Sequence, residues 1–475
     1  MKLNKQMRKE QEISSEVKKS ALGNIWQEIE YDQDLANLIS RQYQFPDLIA
    51  KVIASRVDSI ESAENFINSS LKNNLSDPFK LLDMDKAASH IAEMILGKKK
   101  IVIFGDYDVD GATSSALLKN YFKLLGNDAS IYIPDRMREG YGPNIAAFEK
   151  LKQENNDLVI TVDCGIASHE AINRANEINL DVIVIDHHIG TENLPKALAV
   201  VNPNRFDETS DLGYCAAVGV CFLVSIAVNK ILREKGYFKE IKEPNLLDLL
   251  DIVALGTVCD VVPLQGLNRA FVRQGLKKIN KSQNPGLNKL IEIADINEEI
   301  TAYHLGFMLG PRINAGGRVG QSHFGSFLLS NERNSKISST AQMLNQYNNE
   351  RKAIETDCLE QAQQLCKELQ KHENNIILLA QENWHPGVIG IVASRIKDKY
   401  YKPTAIIAID GEVATASCRS ITNVDFGAAI VKAKEAGLLI AGGGHKMAAG
   451  FKVETKKIAE LEKFLNDQLQ GQVTA

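Results

Sequence analysis

Ile101-Val102-Ile103-Phe104-Gly105-Asp106-Tyr107-Asp108-Val109-Asp110-Gly111 joins a short apolar run to three carboxylates at alternate positions. Ile101 to Phe104 is β-branched and apolar enough to read as a strand, and a helical stretch follows from Ala112 to Leu125. Carboxylates spaced in this way can converge on a hard cation such as Mg²⁺ or Mn²⁺, whose preferred ligands are oxygens. Asp-x-Asp-x-Asp-Gly also opens a calcium-binding EF-hand loop. That loop needs a bidentate Glu at its twelfth position, where Leu117 stands, and helices on both flanks.

Working outward, further apolar runs occur at Ser130 to Ile133, Leu158 to Val162, Val182 to Ile185 and Ala199 to Val201, with helical stretches between several of them. Such alternation predicts an α/β fold with a parallel sheet. The run at Leu158 ends in Asp163-Cys164-Gly165 and the run at Val182 in Asp186-His187-His188. Parallel sheets bind ligands at the carboxyl ends of their strands, so these residues are expected to share one rim with Asp106, Asp108 and Asp110. Asp260, inside the apolar stretch Leu255 to Leu264, is a fourth acidic candidate, because a buried carboxylate needs a partner. An Asp after a strand often does no more than cap a helix. That explanation serves one such residue better than it serves all of them on one sheet edge.

The 475 residues favour more than one domain, and 44% hydrophobic with 24% charged residues is ordinary for a globular chain. Four regions are expected: a helical N-terminal region over 1–75, an α/β catalytic domain over 76–330, a long connector helix over 331–372, and a smaller α/β domain over 373–475. Residues 331–371 hold no Gly or Pro and would span roughly 60 Å as one helix. In the last region Ile376 to Leu379 and Ala405 to Ile409 read as strands and Ile458 to Leu469 as a closing helix. The polar stretch Met1 to Ser20 lacks the apolar core of a secretory signal. The 7 cysteines form no CxxC pair, which fits reduced thiols in a cytoplasmic protein without membrane contact. The net charge of -5 argues mildly against a nucleic-acid partner, unless bound cations supply the positive charge.

Taken together these motifs resemble the DHH phosphoesterase superfamily, whose defining triplet is seen here as Asp186-His187-His188. The chain is most similar to its single-strand-specific exonucleases. Gly310-Pro311-Arg312-Ile313-Asn314-Ala315-Gly316-Gly317-Arg318, Trp384-His385-Pro386-Gly387 and Gly443-Gly444-His445-Lys446 carry the likeness beyond the first domain, the last resembling the DHH-associated domain. The resemblance implies a 5′→3′ exonuclease that degrades single-stranded DNA to mononucleotides in recombination and repair, using two Mn²⁺ or Mg²⁺ ions. By motif position Asp108, Asp110, Asp163, His187 and Asp260 would hold the metals, with Asp163 bridging, Asp106 supporting and His188 beside the scissile phosphate. Two cations roughly 3.5–4 Å apart suit that chemistry.

For the substrate, Gly443, Gly444 and His445 offer accessible N–H groups and a histidine to a phosphate, although a glycine run also makes a tight turn. Ser417 and Arg419 would hold the 5′-terminal phosphate by resemblance, with Arg136, Arg312 and Arg318 as further candidates. Cys418 and Gly316 stand where the family usually has Gly and Ala. The family usually continues into a strand-binding OB-fold, whereas this sequence ends at Ala475, so a short form is expected. Implied partners are a single strand with a 5′-phosphate, a single-strand-binding protein and a helicase, with the chain a monomer. The competing expectations are a phosphodiesterase or phosphatase of short oligonucleotides or small nucleotides, and an inactive DNA-binding scaffold. The retained acidic and histidine residues weigh against the scaffold.

Overall fold

The computed structural model of the chain describes residues 20, 25–135, 139–140, 142–330 and 335–473. The chain divides into two compact units, Met1–Asn74 and Leu75–Ala475. In the first, helices Gln33–Tyr43, Asp47–Ala54 and Ile60–Ile67 pack around Leu35, Ile39, Ala50 and Ile53.

The second unit holds two sheets. In the first, β1 (Ile101–Gly105), β2 (Ser130–Tyr132), β3 (Leu158–Val162), β4 (Asp181–Ile185) and β5 (Ala199–Val201) run parallel in the order β2-β1-β3-β4-β5. Every residue of β1 and β3 is buried, as expected of strands covered on both faces, which is why they read as unbroken apolar runs. The chain leaves β1 to one side to form β2 and returns to the other side for β3. The loops after β1 and β3 therefore diverge and open a crevice at the carboxyl edge, where such sheets bind ligands. Gly105 pairs with Val162 and Val162 with Ile185. The next residues, Asp106, Asp163 and Asp186, accordingly stand side by side.

The expected connector is a helix over Ile337–Glu368, 32 residues and about 48 Å long, shorter than the whole glycine-free stretch allowed. Residues 331–334 lie outside the described residues. The helix packs on helices Pro285–Ile293 and Gly310–Val319 and farther along on Ile389–Tyr400.

The second sheet comprises β6 (Ile377–Glu382), β7 (Thr404–Asp410), β8 (Val413–Arg419), β9 (Ala441–His445) and β10 (Ala448–Glu454), ordered β6-β7-β8-β10-β9. Only β6 and β7 pair in parallel. β8 and β10 were not anticipated, and Gly442 to Gly444 form part of an edge strand rather than a tight turn. β8 alternates Ala414, Ala416 and Cys418 into the core with Thr415, Ser417 and Arg419 outward, and alanine marks a buried face only weakly. Among the described residues no helix is long and apolar enough to cross a membrane.

Candidate active site

Each acidic residue reaches the rim by a local device. Asp108 caps the helix Val109–Leu124, accepting from the Gly111 N–H at 3.1 Å. Asp110 accepts from the N–H groups of Ala217 (2.6 Å) and Val218 (2.9 Å), so it caps a second helix, Ala217–Glu234, whose own N-cap residue is an alanine. The β1 loop can fold onto the start of its helix because position 111 has no side chain; a Cβ there would lie 2.5 Å from the Asp106 carbonyl oxygen. Asp163 has φ 59°, in the left-handed region uncommon for residues other than glycine. Asp260 ends the helix Leu250–Cys259, where a carboxylate has the wrong sign for the helix dipole, so capping does not account for it.

These devices bring together side chains far apart in sequence. Asp110, His187 and Asp260 offer ligand atoms within 4.8 Å of one another, as do Asp106, Asp108 and Asp163, and Asp163, His187 and His188. Asp163 and His187 each belong to two groups. Asp106, expected as a supporting carboxylate, stands as close to this cluster as the expected ligands.

His187 Nε2 lies 3.3 Å from Asp163 Oδ1, 3.6 Å from Asp260 Oδ2 and 3.8 Å from Asp110 Oδ2. Burial, reinforced by His188, lowers the His187 pKa to about 4, so its imidazole is neutral near pH 7 and can act as a ligand. His188 behaves oppositely. Burial alone would lower it, but the bond from its Nδ1 to Asp186 (2.8 Å) and the surrounding carboxylates raise it to about 9.

Asp186 holds the pair in place. Its Oδ1 also accepts from the His187 (2.7 Å) and His188 (3.1 Å) N–H groups, and its Oδ2 from Ile166 N–H (3.0 Å). Burial opposes its ionisation, yet these bonds keep it below the usual carboxylate value. Asn202 and Asn204 donate to the carbonyls of His188 (2.9 Å) and His187 (2.6 Å). These asparagines were not singled out from the sequence. Their signal was their place directly after β5, on the same rim.

The cluster is electrostatically unfavourable without a cation. Burial first, then neighbouring carboxylates, raise Asp110 and Asp163 well above the ordinary range. Asp260 rises to about 7 through burial and then Asp108. Asp163 Oδ1 and His187 Nε2 are buried without a hydrogen-bond partner. Orphaned donor atoms amid mutually repelling carboxylates fit hard divalent cations.

A cavity of about 790 Å³ opens beside the cluster, lined by Gly165, Ile166, His169 and His188 and, from the second sheet, by His445. Gly443 and Gly444 of β9 pair with Gly450 and Ala449 of β10. A second cavity of about 310 Å³ is lined by Arg318, Gly390, Ser394, Arg395, Asp398 and Arg419. Arg419 donates to Ser417 Oγ at 3.2 Å. Cys418 points into the core on the opposite face of β8, so it does not crowd that pair. Arg318 donates to the Gly387 carbonyl (3.2 Å). Arg312 donates to Asn345 (3.0 Å) and the Met308 carbonyl (2.6 Å), tying its helix to Ile337–Glu368; it does not line either cavity. Asn314 of the same motif accepts from Val109 N–H (3.1 Å) and braces the loop after β1. Arg136 lies outside the described residues.

Residues 100–257 match the DHH family N-terminal domain and residues 373–471 the DHHA1 domain. The chain is 34% identical over 457 residues to the single-stranded-DNA-specific exonuclease RecJ of Bacillus subtilis, covering 94% of this chain and 56% of that relative, so it spans little more than half its length. It is 37% identical over 409 residues to RecJ of Haemophilus influenzae, covering 84% and 71%. RecJ from Thermus thermophilus, crystallised in complex with Mn²⁺, superposes with TM-score 0.75 at 28% identity over 93% of this chain and 61% of that one. The chain belongs to the RecJ family of DHH proteins.

Proposed function

We propose that the chain is a metal-dependent 5′→3′ exonuclease that degrades single-stranded DNA to 5′-mononucleotides, in recombination and repair. The observation that carries this reading is the pair of acidic groups, Asp110/His187/Asp260 and Asp106/Asp108/Asp163, at the edge of a substrate-sized cavity lined by His188. Asp108, Asp110, Asp163, His187 and Asp260 would hold two Mn²⁺ or Mg²⁺ ions, with Asp163 between them and Asp106 near enough to join. When bound, such ions activate a water and neutralise the leaving oxygen. Asp186 keeps His188 charged at neutral pH, so His188 can donate to a phosphate oxygen or protonate the departing 3′-oxygen. His445 faces the same cavity from the other sheet and would contact the terminal nucleotide, with the Gly443 and Gly444 backbone behind it. Ser417 and Arg419, with Arg318 beside them, suit a 5′-terminal phosphate.

The RecJ relatives, named for single-stranded DNA, support this substrate. Seven free cysteines favour a reducing compartment, the cytoplasm. Single-strand-binding protein and a helicase would present the strand, and the chain would act as a monomer.

The test is product analysis on 5′-labelled and 3′-labelled strands with Mn²⁺. Mononucleotides should leave from the 5′ end, EDTA should stop release, and Asp163→Ala should abolish it. Release from the 3′ end, or an active Asp163→Ala protein, would refute the assignment. Cleavage confined to dinucleotides or single nucleotides would favour a small-substrate phosphodiesterase.

A further inference from the structure

We propose that Arg395 is a third guanidinium of the 5′-end site and that Glu355, on the long helix Ile337–Glu368, sets its position. The proposal rests on reading Ser417 and Arg419 as that site. Three observations support it.

The first is the pocket itself. Arg318, Arg395 and Arg419 line the same 310 Å³ cavity, against one acidic residue, Asp398. The 12-residue helix Ile389–Tyr400 begins at this cavity. A Cβ on Gly390 would lie 3.0 Å from Ser417 Oγ and 3.2 Å from an Arg419 nitrogen, so the first turn of the helix runs directly against that pair. The positive end of its dipole adds to the potential there.

The second is how Arg395 is held. Its Nε is 3.8 Å from Glu355 Oε1, while Glu355 Oε2 accepts from Arg351 at 2.5 Å and Arg351 donates to Asn348 at 2.6 Å. Asn348 and Glu355 are buried, whereas the Arg395 side chain is 64% exposed. A half-exposed ion pair at this separation stabilises a fold very little, so stability does not explain why a buried relay ends on it. Arg395 lines the cavity while its Nε stays within ion-pair range of Glu355.

The third is charge. Three guanidiniums and one carboxylate give a formal excess of two positive charges at the cavity. A terminal phosphate monoester carries about -1.5 to -2 near pH 7, whereas an internal diester carries one negative charge. The site therefore suits the monoester at a strand end better than any phosphate within the strand, and this would enforce attack from the end. Glu355 also makes the interdomain helix part of end recognition.

The experiment measures kcat/KM with Mn²⁺ on one single-stranded sequence bearing a 5′-phosphate, a 5′-methylphosphate or a 5′-hydroxyl. The methyl ester has the charge of an internal diester on an otherwise identical end. Wild-type protein should prefer the phosphate over the methylphosphate. Arg395→Ala should shrink that ratio by about tenfold, mainly through KM, as expected for loss of one charge-assisted contact. Arg395→Lys should restore part of it. Glu355→Gln should shrink it by about threefold, and adding Glu355→Gln to Arg395→Ala should change nothing more, because the two act in series. Circular dichroism melting checks that each variant is folded, and the Lys and Gln variants carry the test if the Ala variant is not. An undiminished ratio in folded Arg395→Ala and Arg395→Lys proteins would overturn the role of Arg395. An undiminished ratio in Glu355→Gln alone would overturn the positioning role. A wild-type protein indifferent to its 5′ end would instead overturn the 5′-end site on which the proposal stands.

Discussion

Replacing Asp260 with Asn should stabilise the metal-free protein and weaken the metal-loaded one. Burial and then Asp108 raise the Asp260 carboxyl from an ordinary 3.8 to about 7. At about 1.36 kcal/mol per unit, that shift of roughly three units corresponds to about 4 kcal/mol. Burial is the larger cause and Asp108 the smaller, and a buried Asn still bears part of the burial cost, so a single substitution should recover about half, or ~2 kcal/mol. The sign follows from linkage. The folded-state pKa lies above the unfolded one, so this contribution is intact below about pH 4 and is lost as pH rises through about 7. Asn cannot ionise and escapes the loss. In EDTA the two proteins should therefore have similar pH-dependent contributions from this site at about pH 4, and Asp260→Asn should be the more stable at about pH 8. With Mn²⁺ at about 100 times its Kd, wild-type protein should gain about 2.7 kcal/mol per site, and the variant, if Asp260 is a ligand as proposed, should gain less. Urea unfolding followed by circular dichroism, with and without Mn²⁺ across this pH range, measures both effects. Equal or lower stability of Asp260→Asn in EDTA at the higher pH would refute the claim that burying the Asp260 charge beside Asp108 strains the metal-free cluster.

Gly111→Ala should lower kcat by about a hundredfold in Mn²⁺ while the protein stays folded, because its Cβ would meet the Asp106 backbone at 2.5–2.7 Å and displace the metal loop; a near-wild-type rate would show that the loop can yield. Cys418→Gly should destabilise the second sheet by about 2 kcal/mol, from a lost buried side chain and a flexible residue in a strand. It should leave the preference for a 5′-phosphate unchanged, since the thiol faces away from Ser417 and Arg419. A strengthened preference, read from initial rates, would contradict that orientation.

Much of the first sheet was legible because strands buried on both faces are written as uninterrupted apolar runs, and those of β1, β3 and β4 stop at the rim residues themselves. Chemistry legible in this way depends on chain order alone: a strand, a turn, and then a carboxylate or histidine. Roles that depend on what approaches through space were not legible. Asp110 as the cap of a helix more than a hundred residues away, Asp186 as the anchor of the histidine pair, and Asn202 and Asn204 behind it all act through contacts that no local pattern encodes. Arg312 and Arg318 are in one motif, yet one is drawn onto Asn345 and the other lines a cavity, a division made by which neighbour each meets. β8 and β10 escaped notice because small residues on a buried face leave little hydrophobic contrast to read. The sequence by itself therefore determined the parallel sheet and the residue types at its edge, since burial and chain direction are local properties. Tertiary structure alone decided which carboxylates share a site and which arginines line a cavity, because convergence is a property of packing between distant segments.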